Sequence, residues 1–340
     1  MVELLPLDEA AALLDAVWSG TGTEEFGDPP LIAVDVDGAA ATAATAHSLR
    51  PPALWPGTVV AVGTGATNPP PGADIYLARA ADPPRPWVGA PATLQDVVSA
   101  VVSRPGAAVT LAQVMRLHSG DVARDLVTES LAYAVLQWGD EHRSWLASQP
   151  QRRAPEASDA IRIERTAANL RIRLHRPERR NAFSARMRDE LVDALELAVA
   201  DPTIAAVHID GTGPDFCSGG DLAEFGMATD PASAHHIRMS RSAGWWMHRV
   251  SSKMTVRVHG ACVGAGVELP AFARRVVAAP DTTFRLPEVR MGLIPGAGGT
   301  ASIPRRIGRE RTTWFALCGN ALDATTAVRW GLVDEILPGA

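Results

Sequence analysis

Two hydrophobic periods alternate along the chain, one of about 3.6 residues and one of about 2. Apolar Ala10, Leu13, Leu14 and Val17 share one side of a helix predicted over 7–18. Apolar runs at 31–36, 58–62 and 74–78 predict three strands bounded by glycine- and proline-rich breaks. Helical spacing returns at 93–103, with Thr93 as N-cap, at 110–117, and over the long stretch 121–146. In that stretch Val122, Leu126, Val127, Leu131, Ala134, Val135 and Trp138 form a stripe that predicts packing on a core. The segment 149–159 is polar, charged and proline-containing, and places a linker at 151–160. Beyond it, runs at 161–164 and 170–174 predict a hairpin. Helices are predicted at 184–199, 232–250, 309–318 and 324–330, with strands at 205–209 and 254–258. Strands alternating with helices predict an α/β fold.

The stretch 257–299 concentrates the chemistry. A glycine turn, Gly264-Ala265-Gly266, comes after the strand at 254–258, and Glu268 lies two residues later. Glu288 sits in Leu286-Pro287-Glu288-Val289, and a second glycine cluster closes the stretch at 296–299. A glycine turn feeding a helix leaves backbone N–H groups free for a negative oxygen. Two carboxylates in one cleft can divide acid and base work. Pro270 predicts an interruption of the helix that carries Glu268.

Composition narrows the partners. The chain has 340 residues, 46% hydrophobic and 21% charged, with a net charge of −6, which argues against nucleic acid as partner. Three cysteines without a CxxC spacing, Cys217, Cys262 and Cys318, argue against a disulfide framework or a metal site and for a reducing, cytoplasmic setting. No run of about 18 apolar residues predicts a membrane span. Gly63-Thr64-Gly65 comes after a strand, but Asn68 stands where a dinucleotide loop needs its third glycine, and prolines lie beyond it. His235, His236 and His259 have no nucleophile elbow beside them and read as surface or core histidines.

Five pieces of the second half stand in the order of one family: RPERRNAF at 176–183, DFCSGGDL at 215–222, HGACVGAGVEL at 259–269, FRLPEVRMGLIPGAGGT at 284–300, and the run 324–338. On these pieces the chain, over 161–338, resembles the crotonase (enoyl-CoA hydratase/isomerase) superfamily. The resemblance implies a crotonase-like spiral of ββα turns over 161–340. It implies an enzyme that adds water to a trans-2-enoyl-CoA, or removes it. The alternatives are an enoyl-CoA isomerase or other CoA-thioester lyase, and a non-catalytic acyl-CoA-binding or partner subunit. Carried over by motif, Glu268 would activate the water and Glu288 would exchange the proton at Cα. The N–H groups of Gly220 and Ala265 would form the oxyanion hole. Gly264, Asp221 and Leu222 would line the acyl-CoA path, and Arg180 and Ala182 would contact CoA. No cofactor is implied beyond the coenzyme A of the substrate, and a homo-oligomer, trimer or hexamer, is expected, with a hetero-oligomer as a further possibility.

The family's C-terminal helices belong after the run at 324–338, where this chain reaches Ala340. Residues 94–147 resemble those helices instead. Upstream, 58–65 parallels 204–213, and 73–89 parallels 273–292. The expected organisation is therefore a degenerate crotonase-like α/β segment at 1–92, a helical region at 93–150 serving the site, and a catalytic core at 161–340.

Overall fold

In the computed structural model residues 2–19, 30–37, 49–65, 69–150, 159–228 and 230–337 are described; Asn68 and most of the linker expected at 151–160 lie outside them. The fold is mixed α/β. The second half is built on a six-stranded sheet whose order is Glu335–Ile336, Arg275–Ala278, Met254–Val258, Ala206–Gly211, Asn169–Leu174 and Ile161–Thr166. The last two strands form the predicted antiparallel hairpin, and every other pairing is parallel. Period-2 alternation decides what faces inward: Leu170, Ile172 and Leu174 are buried in Asn169–Leu174, while Asn169 and Arg171 are exposed. A smaller sheet of Ala261–Val263, Thr283–Arg285 and Leu322–Asp323 carries the glycine-rich stretch.

The N-terminal strands Leu4–Pro6, Leu31–Asp35, Thr58–Gly63 and Ile75–Ala78 form a separate, all-parallel sheet in sequence order. Parallel sheets are covered on both faces. Here Val59, Ala61 and Tyr76 pack with Leu7, Ala10 and Leu14 of the helix Leu7–Ser19. Val60, Ile75 and Leu77 turn the other way, into the main core with Val97, Val101 and Leu111. Arg116 is buried against Asp74, with Nε 2.9 Å from Oδ1, and ties the helix Pro105–Leu117 to this sheet. Thr58–Gly63 pairs directly with Ile75–Ala78. Their sequence counterparts, Ala206–Gly211 and Arg275–Ala278, are separated by Met254–Val258. Loss of a middle strand would leave this pairing, and it is the support for proposing a degenerate repeat.

The helical region departs from expectation in two ways. The single helix predicted over 121–146 is two, Val122–Gln137 and Asp140–Ala147, broken at Gly139, which caps the second. The predicted apolar stripe is also split. Val122, Leu126 and Ala134 are buried, but Val127, Leu131 and Val135 are 43%, 51% and 72% exposed. Asp125, Glu129 and Ser130 take the inward places. The cause is hydrogen bonding: the Asp125 carboxylate accepts from Ser119 and Gly120, and Glu129 accepts from Gly298 and Thr300 of the second half. The helix predicted over 232–250 likewise divides into Pro231–Ser240 and Ala243–Val250. Ser242 caps the latter by accepting from the Trp245 N–H. The helix Gly299–Ile307, with Pro304 inside it, has no counterpart among the predicted elements. Among the described residues no single helix is long and apolar enough to cross a membrane.

Candidate active site

Glu268 and Glu288 are brought together by strand register. Ala261–Val263 pairs in parallel with Thr283–Arg285, Ala261 opposite Thr283 and Val263 opposite Arg285. Parallel neighbours end on the same side, so the segments leaving both strands emerge at one place. After Val263 come Gly264 and the one-turn helix Ala265–Glu268; after Arg285 comes the 3₁₀ turn Glu288–Met291. Pro270 opens a separate 3₁₀ turn, Pro270–Phe272, where a missing N–H costs nothing. The expected interruption therefore falls beyond Glu268, whose own N–H still donates to Gly264 O at 2.9 Å.

Gly264 is required by this geometry. Its φ is +50°, and a Cβ there would stand 2.5 Å from Glu288 Oε1. Gly264→Ala is therefore expected to displace the Glu288 carboxylate and to cost at least about tenfold in kcat, consistent with the sensitivity of catalysis to small misplacements. Steady-state kinetics beside a melting curve check it: the fold should survive while turnover falls.

The 297–300 turn binds two carboxylates on alternate residues. Glu268 Oε2 accepts from the N–H groups of Ala297 (2.7 Å) and Gly299 (2.9 Å). Glu129, from the helix Val122–Gln137, accepts from the Gly298 N–H (2.7 Å), and from the Thr300 N–H (2.8 Å) and hydroxyl (2.7 Å). These donors are the spare N–H groups at the start of Gly299–Ile307, whose dipole favours negative charge. Glu129 and Glu268 are each 2% exposed. Sequence reading missed Glu129. Its signal was spacing: Leu126, Glu129, Ser130 and Tyr133 lie at i, i+3, i+4 and i+7, one helical face, and all four line the cavity.

All three glutamates are pushed well above the usual carboxylate range. Burial is the main cause for each. For Glu268 the neighbouring Glu288 adds to it, and for Glu129 the neighbouring Glu268. The N–H donors pull the other way for Glu129 and Glu268. Glu288 Oε2 is buried and has no hydrogen-bond partner among the described residues, the environment that suits a protonated carboxyl.

A cavity of about 270 Å³ opens over these groups. Gly220, Leu222, Ala265, Glu268 and Glu288 all line it. Neither the Gly220 nor the Ala265 N–H donates to a backbone carbonyl among the described residues. Gly264 stands behind Glu288 rather than in the wall. Asp221 is buried outside the wall and paired with Arg176 (2.9 Å) and Arg179 (3.2 Å). Burial opposes its ionisation, but the Ala223 N–H and these arginines hold its pKa below the usual value. Ala182 is buried, and its carbonyl accepts from Arg176. Arg180 has a left-handed φ of +50° and reaches Asp215 at 3.6 Å, away from the cavity wall. Cys217 and Cys262 are buried thiols whose pKa burial raises. Helix Asp140–Ala147 packs on the 3₁₀ turn that carries Glu288, with His142 Nδ1 at 2.9 Å from Met291 O.

Comparison with known proteins fixes the kinship. The family model described as Enoyl-CoA hydratase/isomerase matches residues 164–340. The chain belongs to the enoyl-CoA hydratase/isomerase family. Within it, the chain is 32% identical over 176 residues to a 2,3-dehydroadipyl-CoA hydratase of Escherichia coli, covering 52% of this chain and 68% of that one. It is 33% identical over 168 residues to a mevalonyl-coenzyme A hydratase of Aspergillus fumigatus, spanning 49% of this chain but only 62% of that protein's length. A 1,2-epoxyphenylacetyl-CoA isomerase of Escherichia coli is 33% identical over 172 residues, covering 49% and 66%. A solved enoyl-CoA hydratase/isomerase from Mycobacterium abscessus superposes with a TM-score of 0.50 at 35% identity, covering 53% of this chain and 71% of that one. The family match starts at residue 164, so Glu129 and its helix lie outside it.

Proposed function

We propose that this family member is an enoyl-CoA hydratase. The observation that carries the reading is the convergence on one cavity wall of Glu268, Glu288 and two backbone N–H groups that donate to no backbone carbonyl among the described residues. The thioester oxygen of a trans-2-enoyl-CoA accepts from Gly220 and Ala265, which stabilises negative charge as the enolate forms. Glu268, held by Ala297 and Gly299, takes a proton from water as the water attacks Cβ. Glu288, the carboxyl with the unpaired buried oxygen, gives its proton to Cα. Both groups act from one wall, so addition is syn. The steps move only water and protons and call on no cofactor beyond the coenzyme A of the substrate.

The test is incubation of a trans-2-enoyl-CoA in deuterium oxide, followed by mass spectrometry. A 3-hydroxyacyl-CoA with one deuterium at Cα is expected. A shifted double bond without hydroxylation would identify an isomerase instead. Binding of the thioester without turnover would identify an acyl-CoA-binding subunit. For the oligomer expected of the family, the exposed Val127, Leu131 and Val135 row offers an apolar face.

A further inference from the structure

Among the described residues three arginines line the cavity, and two of them are neutralised. Arg188 lies 2.9 Å from Asp189, and Arg241 contacts Asp189 (3.2 Å) and Asp193 (2.6 Å). Arg238 differs. Its Nε donates to the Ser130 hydroxyl at 3.1 Å, and its terminal nitrogens reach Gln137 Oε1 and Ser130 O only at 3.4 Å each. Every one of these acceptors is neutral, and no carboxylate pairs with Arg238 among the described residues. Glu129 and Tyr133 pull on it electrostatically, but both Glu129 oxygens are taken by Gly298 and Thr300. Burial of the guanidinium lowers its pKa, the mark of a cation that has lost water without gaining a counter-ion.

Arg238 lines the same cavity as Glu268 and Glu288. Its guanidinium lies 4.8 Å from the centre of the Tyr133 ring. That ring presses on Gly296, where a Cβ would stand 2.4 Å from it, beside the turn that holds Glu268. Tyr133 therefore touches both Arg238 and the turn whose next residue, Ala297, holds Glu268.

We propose that Arg238 is the recognition site for an oxyanion at the distal end of the acyl group, so that the substrate is the mono-CoA thioester of a short unsaturated dicarboxylic acid. A carboxylate there replaces the missing counter-ion and takes the fork of N–H donors that the neutral acceptors engage weakly. This rests on the hydratase reading for the reaction, but not for binding. A phosphate of the coenzyme offers the same chemistry, so the probes must separate the two sources.

The experiment uses the full chain and matched 2-enoyl thioesters ending in carboxylate or carboxamide, each made as the CoA and as the phosphate-free pantetheine thioester. Wild type is expected to prefer carboxylate over carboxamide by on the order of 10- to 100-fold in kcat/KM, the range of a charge-assisted hydrogen bond. The preference should fall to near unity in Arg238→Gln and persist in part in Arg238→Lys, in both the CoA and the pantetheine series. A wild-type ratio near one, or a ratio unchanged in Arg238→Gln, overturns the proposal. So does a loss confined to the CoA series for both end groups, which would assign Arg238 to phosphate. If none of the thioesters is turned over, the hydratase reading fails. Calorimetric affinities of the saturated analogues then give the same carboxylate-to-carboxamide ratio and decide Arg238 separately. If the glutamine variant does not fold, the wild-type ratio and the lysine variant carry the test.

Discussion

Glu288→Gln is expected to lower kcat for enoyl-CoA hydration by about 10²- to 10⁴-fold, the usual share of a general acid, with little change in KM. Glutamine keeps the shape of the protonated side chain and replaces its acidic O–H with an amide NH₂ that cannot act as an acid. The same change should alter the pH dependence of stability. Burial raises the pKa of Glu288 in the folded protein above its unfolded value. The folded state then holds its proton after the unfolded chain has released it. Stability from this group is complete below the unfolded pKa of about 4.3 and is lost as pH rises through the raised folded value. Wild type should therefore melt at a lower temperature near pH 8 than near pH 5, and Glu288→Gln should flatten that slope. Wild-type turnover should fall on the alkaline side as the acid loses its proton. If the glutamine variant keeps wild-type turnover, the assignment of Glu288 is wrong.

Much of the cavity wall was legible in the chain because its signals are local. The strand at 254–258, the glycine turn at 264–266 and the two glutamates carry their chemistry in short motifs, and the register of Ala261–Val263 against Thr283–Arg285 explains why a twenty-residue separation becomes a shared wall. The effect of Pro270 was less legible. A proline's cost depends on where the helix ends, and here it ends at Glu268. The covering helix was least legible of all. Apolar periodicity put Val127, Leu131 and Val135 inward, whereas the structure exposes them and buries Glu129 and Ser130. Buried polar groups are invisible to a hydrophobic pattern, because their partners lie about 170 residues away in Gly298 and Thr300. For the same reason the family motifs, confined to the second half, contain no trace of Arg238's unpaired charge or of the helix that faces it.

Glu129→Ala should lower both stability and turnover. Three buried donors, the Gly298 N–H and the Thr300 N–H and hydroxyl, lose their acceptor. Each buried donor left without a partner costs about 1–3 kcal/mol. Opposing this, the substitution removes a buried carboxylate and its repulsion with Glu268. Three lost bonds outweigh one relieved repulsion, which leaves a net loss of about 2–4 kcal/mol. The effect on turnover comes from the shared turn. Ala297 and Gly299 aim Glu268, and they alternate along the backbone with the residues Glu129 holds. A turn released on one side no longer fixes the base on the other, and kcat should fall by at least about tenfold. Glu129→Gln separates the two effects, since one amide oxygen can still accept from Gly298 while its NH₂ group faces the Thr300 donors. It should lie between wild type and alanine in melting temperature and in kcat. The electrostatic link runs from Glu268, whose charge raises the pKa of Glu129. If Glu129→Ala melts at a lower temperature yet keeps wild-type kcat, Glu129 does not position the base and is only a cap for the helix Gly299–Ile307.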